Sequence, residues 1–585
     1  MRYNKHNYIE GAFQTPFRPK ADHVNLTRKG KKVMKKILSL VLVLAMLMAL
    51  AACGKAEDPI TTTTADTTTA ATVASTTEAT TEVTTAATTE VTTEATTETT
   101  TATTPAVTEP PVVEPAGPVA IKTAEEFAAM EADGEYYLDA DITLAATWNG
   151  GKEITATYAE NVAFTGILDG KGHTVTTTAP LFANFAGTIR DLTIVGDITE
   201  NKIGDTALHS GAVSRWTNGE AHFSSITNKA NISGSKSTGA LLGYGATGSV
   251  LVAENCVNYG NFDCSDQVGG IFGYIQDTNV TITGCTNHGT LNTANYGGGI
   301  IGRFGRDAAD LANGSLIKIT DCINHGNVTS AKGQTGGILG YLIGGAEIYN
   351  CTNYGEIANN TAQSGGIFGS TGDKANTTTV YVEGCTNYGV IKGVTYVGGI
   401  AARVGRAAQS PKGNYRIVNC VNYGEIKAAA VKDASIYAAG IVAYAWGGGI
   451  SEGQLPNGTV GNINYGKVNV DATLVTSKTN YVGGILGYVN SANYEIKNNV
   501  NAGEIAVTAG TNNIITLISY NKAIDSVANG MFANNYALAA GETVAAYAGD
   551  PAAIPNSDTV AVTFTAEQLA AGEIAYLKEI GFQLK

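Results

Sequence analysis

Gly336-Gly-Ile-Leu-Gly-Tyr-Leu-Ile-Gly-Gly-Ala-Glu-Ile-Tyr-Asn-Cys351-Thr-Asn-Tyr-Gly-Glu-Ile-Ala358 contains two motifs that return along the chain. One is Cys-x-Asn-x-Gly, seen as Cys256-Val-Asn-Tyr-Gly260, Cys285-Thr-Asn-His-Gly289 and Cys322-Ile-Asn-His-Gly326, and again at Cys351, Cys385 and Cys420. Ile226, Asn462 and Asn499 stand in the cysteine position of three further copies. The other is Gly-Gly-Ile-x-Gly, beginning at Gly269, Gly298, Gly336 and Gly483, with looser copies at Gly239, Gly398 and Ala439. Successive cysteine-column positions lie 29 to 42 residues apart. Each repeat holds three short β-prone runs, here Gly337–Leu342, Ala346–Cys351 and Glu356–Ala358, separated by Gly and Asn turns. Self-similarity at this period means stacked supersecondary units, and three strands per unit describe one coil of a parallel β-helix. Parallel crossovers prefer one hand, so the winding is expected to be right-handed.

This architecture assigns jobs to the repeated residues. The Gly pairs are expected to supply φ > 0 where the chain changes face. The Asn side chains from Asn258 to Asn501 should stack as a ladder. Column cysteines would lie about 4.8 Å apart and point the same way. Ile226 marks their slot as apolar, so buried free thiols are expected rather than disulfides. His288 and His325 occupy the Tyr position of the repeat and read as members of an aromatic stack.

The repeats resemble the GLUG-motif family of bacterial surface proteins, whose mark is a Gly-Gly-Leu-Val-Gly-like strand. The resemblance covers roughly residues 160–505, with Ile in place of Leu, and the Cys-x-Asn-Tyr-Gly half departs from the family pattern. It implies a β-helix. It implies no single activity, because the family includes adhesins and parts of larger peptidases.

Around the 226–512 repeat block, residues 119–225 read as a cap and first coils, and 513–585 as a last coil and second cap. Thr123-Ala-Glu-Glu126 and Thr565-Ala-Glu-Gln568 are capping boxes for short helices. Ala570, Ile574 and Leu577 extend the second as an apolar i, i+4, i+7 face. A solenoid needs such ends, because bare terminal coils expose strand edges.

The amino end reads as an address and a tether. Lys35 and Lys36 precede the apolar run Ile37–Ala52, which is 16 residues, short of the roughly 20 that span a bilayer. Leu50-Ala-Ala-Cys53 resembles the lipobox of bacterial lipoproteins, which implies a diacylglyceryl thioether on Cys53 and a location on the outer face of the membrane. Met34 fits the start of such a signal. Residues 54–118, rich in Thr, Glu and Pro and without apolar periodicity, read as an unstructured spacer.

Residues 1–53 carry 10 basic and 2 acidic side chains, leaving 27 basic and 49 acidic in the rest. That acidic remainder repels phosphate backbones and argues against a nucleic-acid partner. No His-Glu-x-x-His, Cys-x-x-Cys or Asp-rich calcium nonapeptide is present, so neither metal nor cofactor is expected. No catalytic constellation stands out.

Insertions offer another signal. From the cysteine column to the next Gly-Gly-Ile isoleucine the gap holds at 15 or 16 in the first three full copies, whereas the return gap varies from 13 to 22. Extra residues therefore enter at one corner, through Arg303–Leu316, Ser370–Thr379, Arg403–Tyr415 and Ala445–Thr459. Insertions on one face often build a binding surface. Arg303, Arg306, Asp307, Asp310, Arg403, Arg406 and Trp446 are the candidate ligand-binding edge. The expected function is binding or adhesion to an extracellular glycan or protein. A carbohydrate-active lyase or hydrolase of the same fold, or a passive surface element, are the alternatives, since fold does not choose among them.

Overall fold

The computed structural model describes residues 117–199, 201–276, 278–306, 315–372, 379–405, 414–446, 455–491, 494–509, 513–520, 531–538, 547–548 and 561–584. One coil shows the plan. Gly345–Tyr349 and Thr352–Asn353 belong to a first sheet, Ile357–Asn359 and Gln363–Gly365 to a second, and Phe368–Thr371 to a third. The next coil lies on it in parallel and in register, with Ile348 against Val382, Asn353 against Asn387, Ile357 against Ile391 and Phe368 against Ala401. Among the described residues, repetition gives sheets of 26, 18 and 11 strands and a parallel β-solenoid. The three faces are those expected from sequence, and two of them bend. In the first sheet the bend is a left-handed residue just before the cysteine column, such as Asn255, Asp321, Asn350 and Asn419, with Gly284, Gly384 and Gly461 in other coils. Asn, Asp and Gly tolerate that conformation best.

The interior is built from three coupled columns. Cys256, Cys285, Cys322, Cys351, Cys385 and Cys420 are fully buried and unbridged, as is Cys264 in the second sheet apart from a trace of exposure. Two residues beyond each column cysteine, Asn side chains form a continuous ladder. The Nδ2 of Asn353 donates to Oδ1 of Asn387 at 2.8 Å and to the Gly355 carbonyl at 2.9 Å, while its own Oδ1 accepts from Asn324 at 2.7 Å. The third column is the glycine pair, and here the expectation about φ is corrected. The paired glycines of Gly-Gly-Ile are absent from the left-handed region. They are required for space. A Cβ on Gly337 would stand 2.0 Å from the Gly366 carbonyl oxygen and 2.5 Å from Cγ of Asn353. The turn between the second and third sheets thus lies directly on the Asn ladder, which is why the two motifs recur together.

Outside, Tyr259, His288, His325, Tyr354, Tyr388, Tyr423 and Tyr465 stack with centroids 4.7 to 5.0 Å apart and planes within 11°. The two histidines are members of this stack, as their repeat position indicates. Phe582, from the carboxyl-terminal cap, adds the last ring at 5.5 Å from Tyr465. Both capping boxes form, at Thr123 with Glu126 and at Thr565 with Gln568. The second cap differs from the sequence reading. Instead of one helix through Leu577, Ala566–Ala570 ends before Gly572, which sits at φ 67°, and Ala575–Glu579 starts anew with Ile574 as its N-cap. Gly at a helix end takes that conformation readily.

Candidate functional site

The third sheet presents one outward position per coil, immediately after the last glycine of Gly-Gly-Ile-x-Gly. The backbone register joins Trp216, Tyr244, Tyr274 and Arg303 in successive coils. It continues through Tyr341, Ser370, Arg403, Tyr444 and Tyr488. The second sheet presents a matching position two residues before the glycine pair. Ser237, Gln267 and Tyr296 occupy it in the early coils, and Gln334, Gln363, Tyr396, Tyr437 and Tyr481 in the later ones. His209 precedes Ser210, which pairs with Thr238, and so takes the same place one coil before Ser237.

From the coil of Tyr244 to that of Tyr488 these columns meet across the corner because the position between them, glycine in most coils and alanine at 402 and 443, puts no more than a methyl group between the sheets. A Cβ on Gly302 would lie 2.5 Å from the Val268 carbonyl oxygen, and one on Gly340 would lie 2.4 Å from that of Gly297. Tyrosines from both sheets close over this floor. Tyr437 meets Tyr444 edge-on at 5.4 Å and Tyr488 at 5.5 Å, and Tyr481 meets Tyr488 at 4.8 Å. Within one column the rings lie flat, Tyr396 on Tyr437 at 4.9 Å and Tyr444 on Tyr488 at 5.2 Å. Most of these rings are half-buried, in contrast to the fully buried Ile and Phe of the interior, so the cleft opens outward. Burial, reinforced by neighbouring phenols, pushes Tyr244 and Tyr437 up to about 12 and raises Tyr444 and Tyr488 as well. All four therefore stay neutral at physiological pH and keep a hydroxyl donor.

The structure brings part of the sequence-derived candidate set into this cleft. Arg303 is 8% exposed, and its guanidinium lies 4.9, 5.2 and 5.4 Å from the ring centres of Tyr274, Tyr296 and Tyr341. Arg403, at the same position three coils on, reaches back one coil. Its Nε donates to Oγ of Ser370 at 3.1 Å and a terminal nitrogen donates to the Thr371 carbonyl at 2.8 Å. Both arginines are therefore strand residues of the cleft and not members of the inserted loops. Arg306 is half-buried and close enough to Tyr244 for its charge to act on that phenol. Trp446 follows the strand Val442–Ala445, its backbone N–H donating to the Val404 carbonyl at 2.9 Å. Asp307, Asp310 and Arg406 lie outside the described residues, as do Cys53, Met34 and all of the spacer up to residue 116. The four insertions all leave from the carboxyl ends of third-sheet strands, at Phe304, Thr371, Val404 and Ala445.

At its amino end the cleft is closed by the turn Tyr158–Glu160. The Tyr158 ring sits 5.1 Å from His209, 6.1 Å from Trp216 and 6.0 Å from Tyr244, and its hydroxyl accepts the His209 backbone N–H at 3.0 Å. His209 is 5% exposed, stacks on Tyr244 at 4.6 Å and has no partner at Nδ1. Burial, with the charge of Lys236 adding to it, lowers its pKa to about 3. This residue and the tyrosine columns are absent from the sequence candidates, although the signal is legible. Tyr or Arg follows the last position of nearly every Gly-Gly-Ile-x-Gly copy.

Among the described residues, no group of three or more His, Cys, Asp or Glu side chains could hold a metal ion, and no helix is long and apolar enough to cross a membrane. No family model matches the chain, and no curated protein does. Among solved structures, the chain is similar to a candidate immunoglobulin A1 protease from Bacteroides ovatus, at 18% identity and a TM-score of 0.35, over 42% of this chain and 77% of that one.

Proposed function

We propose that this chain is a lipid-anchored surface protein whose solenoid binds an extended extracellular glycan along the cleft between the second and third sheets. The observation that carries the reading is the pair of facing tyrosine columns, Tyr396, Tyr437 and Tyr481 opposite Tyr444 and Tyr488, all but Tyr488 half-buried and repeated at the coil spacing. Tyrosines offer an apolar ring and a polar tip with little rotamer freedom to lose, which suits sugar faces and hydroxyls. A repeating ligand matches a repeating surface. Hydrolysis by paired carboxylates is disfavoured at this site, because neither column contains Asp or Glu.

The test is a glycan array probed with detergent-solubilised full-length protein, beside the variant carrying Tyr444→Ala and Tyr488→Ala. Binding is expected to fall by about tenfold or more in the variant, equivalent to about 1.4 kcal/mol. Equal binding by a variant with an unchanged circular dichroism spectrum removes the cleft as the site. Anchoring has its own readout. The Leu50-Ala-Ala-Cys53 segment supports it, and metabolic labelling with a fatty-acid probe should be lost on Cys53→Ala. Undiminished labelling of that variant overturns the lipoprotein assignment.

A further inference from the structure

We infer that the amino end of the cleft is a subsite for the terminal sugar ring of the glycan, and that the Tyr158 side chain fills it as an internal stand-in until the sugar displaces it. The inference rests on the proposed glycan-binding role and specifies which part of the glycan enters this end and what gates it.

The cleft is blind here. The second sheet begins with Asp197–Ile198 and Ser210–Gly211, so His209 is the first member of its column. Arg215, between Ser214 and Trp216, takes the place that Gly243 holds in the next coil. It is buried, and its Nη1 donates to Oδ1 of Asn201 at 3.0 Å. The floor that is glycine or alanine in later coils is therefore filled at this level by a long side chain. The loop from Asn149 to Val162 sets Tyr158 against the same end. A polymer lying along the tyrosine columns can place only its last ring here.

The present occupant uses little of what the subsite offers. The Tyr158 ring lies 5.1 Å from His209 and 6.1 Å from Trp216, and its hydroxyl accepts the His209 backbone N–H. Nδ1 of His209, Nε1 of Trp216 and Oδ1 of Asn184 have no hydrogen-bond partner, although each of these residues is 5% exposed or less. Asn184 pairs in register with Trp216, and its Nδ2 approaches the Asn161 carbonyl of the loop at 3.5 Å. A buried polar atom left unpaired costs free energy, and a phenol ring with one hydroxyl cannot satisfy three of them. An indole donor, an amide acceptor and an imidazole nitrogen under one loop suit a pyranose, which has hydroxyls around its edge and apolar faces for the neighbouring rings.

Tyr158 can leave without unfolding the loop. Two buried asparagines fix the base. Oδ1 of Asn149 accepts the Val162 N–H at 2.8 Å, and Oδ1 of Asn161 accepts the Thr155 N–H at 2.9 Å. At the tip Tyr158 is half-buried, and Ala159 and Glu160 are exposed. Rotation of the Tyr158 side chain gives up its ring contacts and the hydrogen bond from His209, and it uncovers the unpaired atoms.

The experiment titrates full-length protein in detergent with cellohexaose, xylohexaose, mannohexaose and chitohexaose. Tyr158→Ala should bind at least one of them roughly tenfold more tightly than wild type, because the share of molecules with an open subsite rises toward one. Trp216→Phe removes the indole N–H and keeps an aromatic ring. Added to Tyr158→Ala it should cancel most of the gain, and in wild type it should change affinity by less than about twofold. If Tyr158→Ala loses its fold, Tyr158→Phe decides, since loss of the hydroxyl alone should raise affinity by about threefold, again cancelled by Trp216→Phe. A bulky fluorophore on one end of the hexasaccharide should abolish the gain, and on the other end should leave it. Equal affinity of Tyr158→Ala and wild type, with binding still lost on Tyr444→Ala and Tyr488→Ala, overturns the terminal subsite and leaves the cleft standing. A gain that survives Trp216→Phe means that the unpaired atoms face water alone, and overturns it too. So does a gain that survives a fluorophore on either end, or absence of binding to all four probes by both wild type and Tyr158→Ala. Binding that ignores Tyr444→Ala and Tyr488→Ala in every background overturns the aromatic cleft itself.

Discussion

Replacing Asn353 with leucine is expected to destabilise the solenoid by on the order of 4 kcal/mol, whereas Cys351→Val, two residues away in the same interior, should cost less than about 1.5 kcal/mol. Both side chains are fully buried. The difference lies in what each leaves behind. Cys351 is a small filler whose Sγ donates only a weak bond, to the Tyr349 carbonyl at 3.2 Å, in a column where Ile226 already stands in another coil, so valine adds about one methyl group and leaves no strong polar partner unpaired. Asn353 is a link in a chain of amides. Its removal strips a donor from the Gly355 carbonyl and from Oδ1 of Asn387, and an acceptor from Nδ2 of Asn324. Each buried polar group left unpaired costs about 1–3 kcal/mol. Leucine also branches beneath the glycine pair, where Gly337 already packs against the Asn353 amide. Urea denaturation followed by circular dichroism measures both variants. Because each coil touches only its neighbours, the loss should appear first as faster amide exchange in the coils on either side of Asn353. Equal destabilisation by the two substitutions would show that the ladder is ordinary packing.

The Asn ladder, the buried cysteine column and the exterior ring stack are all legible in sequence for one reason. A residue repeated at the coil period meets its own copies, so Asn258 and Asn287 need no knowledge of the third dimension to be paired. The cleft is less legible because it joins two different columns. Tyr444 and Tyr437 meet only if the chain turns sharply between them, and the sharpness depends on Gly or Ala at 439, 440 and 443 packing against backbone. From sequence alone the glycine pair reads as a source of positive φ. Its actual contribution is absence of volume, which local conformational preference does not reveal. For the same reason Arg303 reads from sequence as part of an exposed edge. Only the register that sets it between Tyr274 and Tyr341 shows it as a caged cation. The break at Gly572 is a difference of another kind, since the apolar spacing of Ala570, Ile574 and Leu577 runs through a residue that ends helices.

Mild acid should weaken the amino end of the cleft through His209, and His209→Phe should abolish that sensitivity. The sign follows from the direction of the shift. Burial against Tyr158 and Tyr244, with Lys236 nearby, lowers the His209 pKa to about 3, far below its ordinary value of about 6.5. Between those two values the unfolded chain binds a proton that the folded chain refuses. Stability therefore falls as pH drops from about 6.5 toward 3, by about 1.4 kcal/mol per pH unit where the difference is complete, and His209 has no such effect above about pH 7.5. Carboxylates with lowered pKa, Asp169 and Glu425 among them, act in the same direction but only as pH falls below the ordinary carboxylate range. The window from about pH 6.5 to about 4.5 separates the two. His288, lowered by burial and by the charge of His325 beside it, contributes in that window too, so the informative quantity is the difference between wild type and variant. Phenylalanine preserves the ring packed on Tyr244 and removes the unpartnered Nδ1. Urea midpoints at pH 7, 5.5 and 4.5 should fall more steeply for wild type than for His209→Phe, with a gap of about 2–3 kcal/mol at pH 4.5. Parallel slopes would mean that His209 titrates near its ordinary value, and hence that Tyr158 does not keep the end of the cleft closed to water.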